Sequence, residues 1–172
     1  MAINFPEGTQ DLPAFLAQAD NLNMTGTYST NSTSWTGLTG FSNTIVNKKA
    51  NPSILVIVSL GSLTGAGNTH ALRLTRNGTT IAIGSPSGNH ERHSFRVEGY
   101  NGTVNSSHCH GQTFIYLDTG FSAAVNSNIT YSLDVRSEVG PFYVNRSGSD
   151  GNNNGVYNGR SHSSIILLEV AQ

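Results

Sequence analysis

The side chains with most chemical potential in this chain are its histidines and a few carboxylates. His108-Cys109-His110 places both imidazoles on one face of an extended segment, and imidazole is the commonest metal ligand near neutral pH. Two nitrogens fall short of a zinc set. Only three copies around a threefold axis would gather six nitrogens, so His108 and His110 are metal candidates in a trimer alone. In a single chain they read as loop histidines flanking a half-buried thiol. His90-Glu91-Arg92-His93 has i, i+3 spacing but follows a Ser-Pro-Ser-Gly turn, and it reads as the entry to a strand at Phe95. Asp150-Gly151-Asn152-Asn153-Asn154 offers oxygen ligands for a hard cation. A calcium loop needs several acidic residues at alternating positions and a bidentate Glu, whereas here only Asp150 is charged.

Catalytic arrangements are missing from the sequence. No Gly-x-Ser-x-Gly sits on a strand-to-helix turn, and no glycine-rich phosphate loop precedes a helix. The ten Asp and Glu residues are dispersed, so no adjacent pair suggests glycosidase chemistry. The expectation is a protein without cofactor and without enzymatic activity.

Composition points to a different use. Charged residues make up 11% of the 172-residue chain, against about 25% in an average domain. Asn, Ser and Thr together supply roughly a third of it and provide the polar surface instead. The 36% hydrophobic content and net charge of −1 suit one folded domain rather than a disordered chain. They also lack the basic stripe of a nucleic-acid binder. One cysteine rules out an intrachain disulfide. The start Met1-Ala2-Ile3-Asn4-Phe5-Pro6 lacks a basic, apolar leader, and the longest apolar run, Ile54 to Val58, is too short to cross a membrane. The expected product is soluble, made in a cytosol, and not membrane-inserted.

The elements that would position these residues are strands. Period-two alternation in Asn128 to Arg136 puts Ile129, Tyr131, Leu133 and Val135 on one face. Ser53 to Leu60 and Ser164 to Val170 are dense in Leu and β-branched residues. They suit central strands covered on both faces, by a second sheet or by another subunit. Arg76-Asn77-Gly78-Thr79 predicts a two-residue hairpin, pairing Arg76 with Thr79, Leu74 with Ile81 and Leu72 with Ile83. Further strands are expected over Ser34 to Ile45, Gln112 to Leu117 and Phe142 to Asn145. The fold class is all-β, an antiparallel jelly-roll-like β-sandwich spanning 31–172. Residues 1–30 read as an extended N-terminal arm whose Phe5, Leu12, Phe15 and Leu16 dock on a neighbour or on the body of the domain. The polar segment 145–160 reads as a displayed loop, with Asn145, Arg146, Asp150 and Tyr157 as its contact residues.

Three stretches carry a resemblance. They are Ile3-Asn4-Phe5-Pro6-x-Gly8-Thr9-Gln10, Leu74-Thr75-Arg76-Asn77-Gly78-Thr79, and Tyr143-Val144-Asn145-Arg146-Ser147 through Asp150 to Ser163-Ser164-Ile165-Ile166-Leu167-Leu168-Glu169-Val170. Together they resemble small virion proteins and fibre modules of tailed phages, marine cyanophages especially. The resemblance implies a structural protein located in the virion. It would be a homotrimer of jelly-roll type, partnered by other capsid or tail proteins. The chain has no repetitive shaft, which favours a capsid decoration, knob or adaptor over a long tail fibre. If such a subunit is trimeric, the strand from Phe142 to Asn145 and part of Ser53 to Leu60 are expected near its interface. The competing expectations are a receptor-binding module for host-surface glycan, using the 145–160 loop, and a polysaccharide depolymerase.

Overall fold

The Asn77-Gly78 turn closes as its chemistry requires. Both residues lie at positive φ, 47° and 79°, the geometry of a type I′ turn that matches the twist of its flanking strands. In the computed structural model, which describes residues 16–65, 69–98, 109–152, 155 and 158–170, this turn joins β5 (Thr69–Arg76) to β6 (Thr79–Ile81). Arg76 faces Thr79 and Leu74 faces Ile81. The third expected pair does not form. Ala82 takes a φ of 54°, a conformation costly for a residue with a Cβ, and the chain leaves the sheet there. Leu72 pairs instead with Phe95 of β7 (Phe95–Glu98), so β6 and β7 share one edge of β5 end to end.

Two antiparallel sheets result. The larger is organised around β4 (Ser53–Gly65), the longest strand. One edge of β4 carries β11 (Ser163–Val170) and then β10 (Phe142–Val144); the other carries β8 (His110–Asp118). Outside β11 lies β1 (Leu16–Met24), and outside β10 lies β2 (Tyr28–Thr30). The smaller sheet runs from β3 (Thr36–Val46) through β9 (Asn128–Ser137) to β5, with β6 and β7 beyond. The antiparallel sandwich expected from the alternation is therefore the observed architecture.

The core is the side-chain layer between the sheets. Ile54, Val56, Val58, Leu60, Ile165 and Leu167 face Phe41, Ile45, Leu72, Leu74, Ile129, Tyr131, Leu133 and Val135, all essentially without solvent exposure. Each such side chain contributes about 1.5–3 kcal/mol of burial free energy relative to exposure. Among the described residues polar contacts also cross this layer, two of them to carboxylates. Asp118, at the end of β8, accepts from Arg76 of β5 (2.7 and 2.8 Å) and from the Tyr131 hydroxyl of β9 (2.7 Å). Glu169 of β11 accepts the backbone N–H groups of Lys48 and Lys49, just after β3, at 2.8 and 3.0 Å. Buried carboxylates are tolerable because both are multiply bonded.

The boundary of the N-terminal arm needs correction. Leu16–Met24 is a full edge strand on β11, in register from Gln18 opposite Glu169 to Met24 opposite Ser163. Tyr28–Thr30 caps β10. Residues 16–30 therefore belong to the sandwich. The sequence Leu-Ala-Gln-Ala-Asp-Asn-Leu-Asn-Met is poor in β-formers, and the open edge of β11 supplies the ladder that propensity does not. Phe5, Leu12 and Phe15 lie outside the described residues.

Candidate interaction surface

The loop that follows β10 is anchored where the sequence suggested display. Asn145 turns the chain with a φ of 64° and is fully buried. Its amide donates to the carbonyls of Met24 (2.9 Å) and Gly26 (2.8 Å), and its oxygen accepts from Ser163 Oγ (2.7 Å). Its backbone N–H donates to Ser62 O at 2.7 Å. Its side chain thus ties the ends of β1 and β11 together just after β10, and its backbone N–H adds β4. Asn145 is a structural junction, not a contact residue.

The other described residues of the loop bond largely to one another. Asp150 is ion-paired to both Arg146 and Arg160, and the Arg146 guanidinium lies 4.0 Å over the Tyr143 ring. Ser149 Oγ donates to Asn158 Oδ1 at 2.6 Å, and Asp150 N–H donates to Ser147 Oγ at 3.3 Å. Arg146 and Asp150 are spent largely on this internal network, while the Arg160 side chain remains more than half exposed. Tyr157 lies outside the described residues. The β10 strand does not offer an edge to another subunit either. It is paired on both sides, and Phe142 and Val144 point inward.

The remaining sequence candidates stay apart. His110 is exposed at the start of β8 beside an exposed Cys109, whose Sγ lies 3.1 Å from Thr64 Oγ1. His108 lies outside the described residues. Among the described residues no three His, Cys, Asp or Glu side chains gather as a metal set. Leu16 is 40% exposed at the beginning of β1. No helix of the described residues is long and apolar enough to cross a membrane.

Among the described residues, burial moves His70 and Tyr131. His70 is enclosed between Phe142, whose ring centroid is 4.9 Å away, and the backbone at Gly65, with Nδ1 3.1 Å from Ser137 Oγ. Loss of hydration disfavours its cation and lowers its pKa to about 4. Tyr131 is pushed far up by burial and then by its bond to the Asp118 carboxylate. Both groups hold the sheets together at neutral pH, and neither opens onto a cleft.

The two outer faces of the sandwich differ sharply. That of the smaller sheet carries charges already matched. Arg73 pairs with Asp134 (2.9 Å) and stacks 4.4 Å over Trp35. Trp35 Nε1 donates to Glu91 (3.0 Å), and Glu91 accepts from Arg136 (2.7 Å). Beside this chain of contacts is a shallow cleft of about 140 Å³ lined by Thr69, Ala71, Glu91, His93, Arg136 and Glu138.

The face of the larger sheet has no ionisable group over its centre. Register places Ala19, Leu168, Leu55 and Leu117 in one lateral row, and Asn21, Ile166, Ile57 and Ile115 in the next. Ser164, Ser59 and Thr113 follow with Asn23. Ile115 is 61% and Leu117 50% exposed, and the four aliphatic residues of β4 and β11 are half-buried only by their neighbours in the sheet. The apolar density of β4 and β11 predicts central strands with cover on both faces. The core covers one face, and the other is open within the chain. The signal for this surface was the Ile-Leu-Val-Ile-Val run itself, apolar on both parities where an ordinary half-exposed strand alternates.

No protein-family model matches the sequence, and no curated protein matches it. Among solved structures, the chain is similar to dimeric latent PorU from Porphyromonas gingivalis, with 8% identity, a TM-score of 0.37, and coverage of 88% of this chain and 13% of that one. It is also similar to the VP2 subviral particle of infectious bursal disease virus, with 12% identity, a TM-score of 0.34, and coverage of 91% of this chain and 38% of that one. The Gx strain of the same virus gives 12% identity and a TM-score of 0.32 with the same coverage. The chain spans well under half the length of each of these proteins.

Proposed function

We propose that the protein is a non-enzymatic structural subunit of a virus particle, a decoration, knob or fibre-associated protein of the tailed-phage kind. The observation that carries this reading is the open aliphatic face of the larger sheet. A sandwich that leaves six Leu and Ile side chains on one uncharged face is built to be covered by another protein. The hydrogen bonds and ion pairs among the described residues of 145–160 and the matched charges of the other sheet suit a rigid module. The resemblance of three stretches to small virion proteins of tailed phages is what suggests the kind of assembly.

The test is particle composition. Virions of the virus encoding this chain, purified through a density gradient, are expected to carry the protein at fixed stoichiometry, detected by quantitative mass spectrometry and by immunogold labelling of intact particles. Its presence in infected cells but absence from gradient-purified particles would refute the reading.

A second reading, recognition of host-surface glycan, is favoured by one observation. Trp35 is a partly exposed aromatic plane bonded to Glu91, and Glu91 and Glu138 line the same shallow cleft. Binding of the purified chain to host envelope polysaccharide, abolished in Trp35→Ala, would support it. New reducing ends in the same incubation would point to a depolymerase instead.

A further inference from the structure

The open face of the larger sheet specifies its occupant more narrowly than a role in assembly does. Four strands, β1, β11, β4 and β8, lie side by side across it. With strands about 4.8 Å apart and about 3.3 Å per residue along seven residues of β4, the face measures roughly 19 by 23 Å, on the order of 440 Å² in projection. A corrugated side-chain layer has more accessible area than its projection. The aliphatic centre therefore supplies about half of the roughly 800 Å² per partner of a standard stable interface, and the polar border around it must supply the rest.

Its chemistry is self-complementary. The centre is aliphatic: Leu55, Ile57, Ile115, Leu117, Ile166 and Leu168. The border carries Asn21, Asn23, Ser59, Thr113 and Ser164 beside Ala19, and the amides and hydroxyls of the polar members both donate and accept hydrogen bonds. A second identical face can therefore match it without bringing like charges together. Symmetry narrows the choice again. A cyclic trimer needs two different patches that fit each other, whereas a single self-matching patch closes as a twofold dimer.

We propose that a second copy of this chain packs face to face on the β1-β11-β4-β8 surface, making a twofold dimer in which two of the four stacked sheets meet through their aliphatic faces. Ile115 and Leu117 are the anchors, because they are the most exposed apolar groups on the face and each gains the most by being covered. The dimer rests on the same surface as the proposed particle role but is tested apart from it.

Sedimentation equilibrium of the full chain between about 1 and 100 µM is the decisive measurement. The wild type is expected at twice the 18.2 kDa chain mass. Ile115→Lys and Leu117→Lys, each checked for an unchanged circular dichroism spectrum, are expected to weaken dimerisation by about 100-fold or more. Thr79→Lys, at the exposed hairpin of the other sheet, is expected to leave it unchanged. A wild-type monomer at about 100 µM overturns the proposal without recourse to any variant. A dimer that survives in both folded lysine variants overturns it as well, by placing the contact elsewhere. A monomer that still incorporates into particles would remove the dimer and leave the virion reading standing.

Discussion

Replacing His70 by Phe should flatten one step in the dependence of stability on pH. The imidazole sits between the sheets against Phe142, where it remains neutral. Its pKa falls from 6.5 in the unfolded chain to about 4 in the folded one. Between those values the unfolded chain binds a proton that the folded chain refuses, so stability falls as pH falls. Above pH 6.5 both states are neutral at this site and it contributes no slope; below about 4 both are protonated and the slope vanishes again. Two and a half units at about 1.36 kcal/mol each amount to about 3 kcal/mol lost across the window. Phe keeps a ring against Phe142 but cannot titrate. The assay is urea unfolding of wild type and His70→Phe from pH 7.5 to 3.5, read as the difference between the two curves. The other five histidines and all carboxylates are common to both proteins and cancel. The variant is expected to gain on the wild type by about 1.4 kcal/mol per pH unit between 6.5 and 4. Parallel curves would refute the reasoning, whatever the absolute stability of the variant.

Three further outcomes follow from buried contacts. Asp118→Ala leaves the Arg76 guanidinium and the Tyr131 hydroxyl without their shared acceptor. It should cost about 2–4 kcal/mol in urea unfolding, less than a fully buried pair because Arg76 keeps some contact with water. A loss below about 1 kcal/mol would sink the idea that this contact ties the sheets. Asn145→Ala should cost about 3 kcal/mol, combining lost hydrogen bonds with a left-handed backbone that Ala resists. Asn145→Gly should be about 1 kcal/mol milder, and equal effects would exclude the backbone contribution. Gly78→Ala should lower stability by about 1 kcal/mol or more through its φ of 79°, with no change in the far-ultraviolet spectrum.

Local chemistry was readable and long-range encounter was not. The Asn77-Gly78 turn, the alternation from Ile129 to Val135 and the apolar density of β4 and β11 each state their role within a few residues. By contrast, Ala82 gives no sequence sign that it will adopt a positive φ and cut β6 short. The β1 segment has weak strand propensity and becomes a strand because β11 offers an open edge. Asn145 looked like a surface residue because Asn usually is; its burial depends on four segments converging from distant parts of the chain. Arg76, Asp118 and Tyr131 come from three strands on two sheets, so no spacing rule could have joined them. For the surface, the doubly apolar character of β4 and β11 was legible, but which face would remain open depended on the position of the second sheet.

The position of β4 has a consequence for how the chain reaches this structure. Its strand partners are β8, β10 and β11, which begin at His110, Phe142 and Ser163. During synthesis, a strand apolar on both faces thus leaves the ribosome long before any of the three. Non-local pairing of this kind is slow, and a strand awaiting its neighbours exposes edges that recruit wrong ones. The β5-β6 hairpin, closed by its own two-residue turn, can form early and keep part of the smaller sheet in order meanwhile. Solubility in a cell should therefore depend on the time between the emergence of β4 and that of β11. Slower translation across the intervening hundred or so residues would lengthen the exposure and raise the aggregated fraction, although the finished fold is the same.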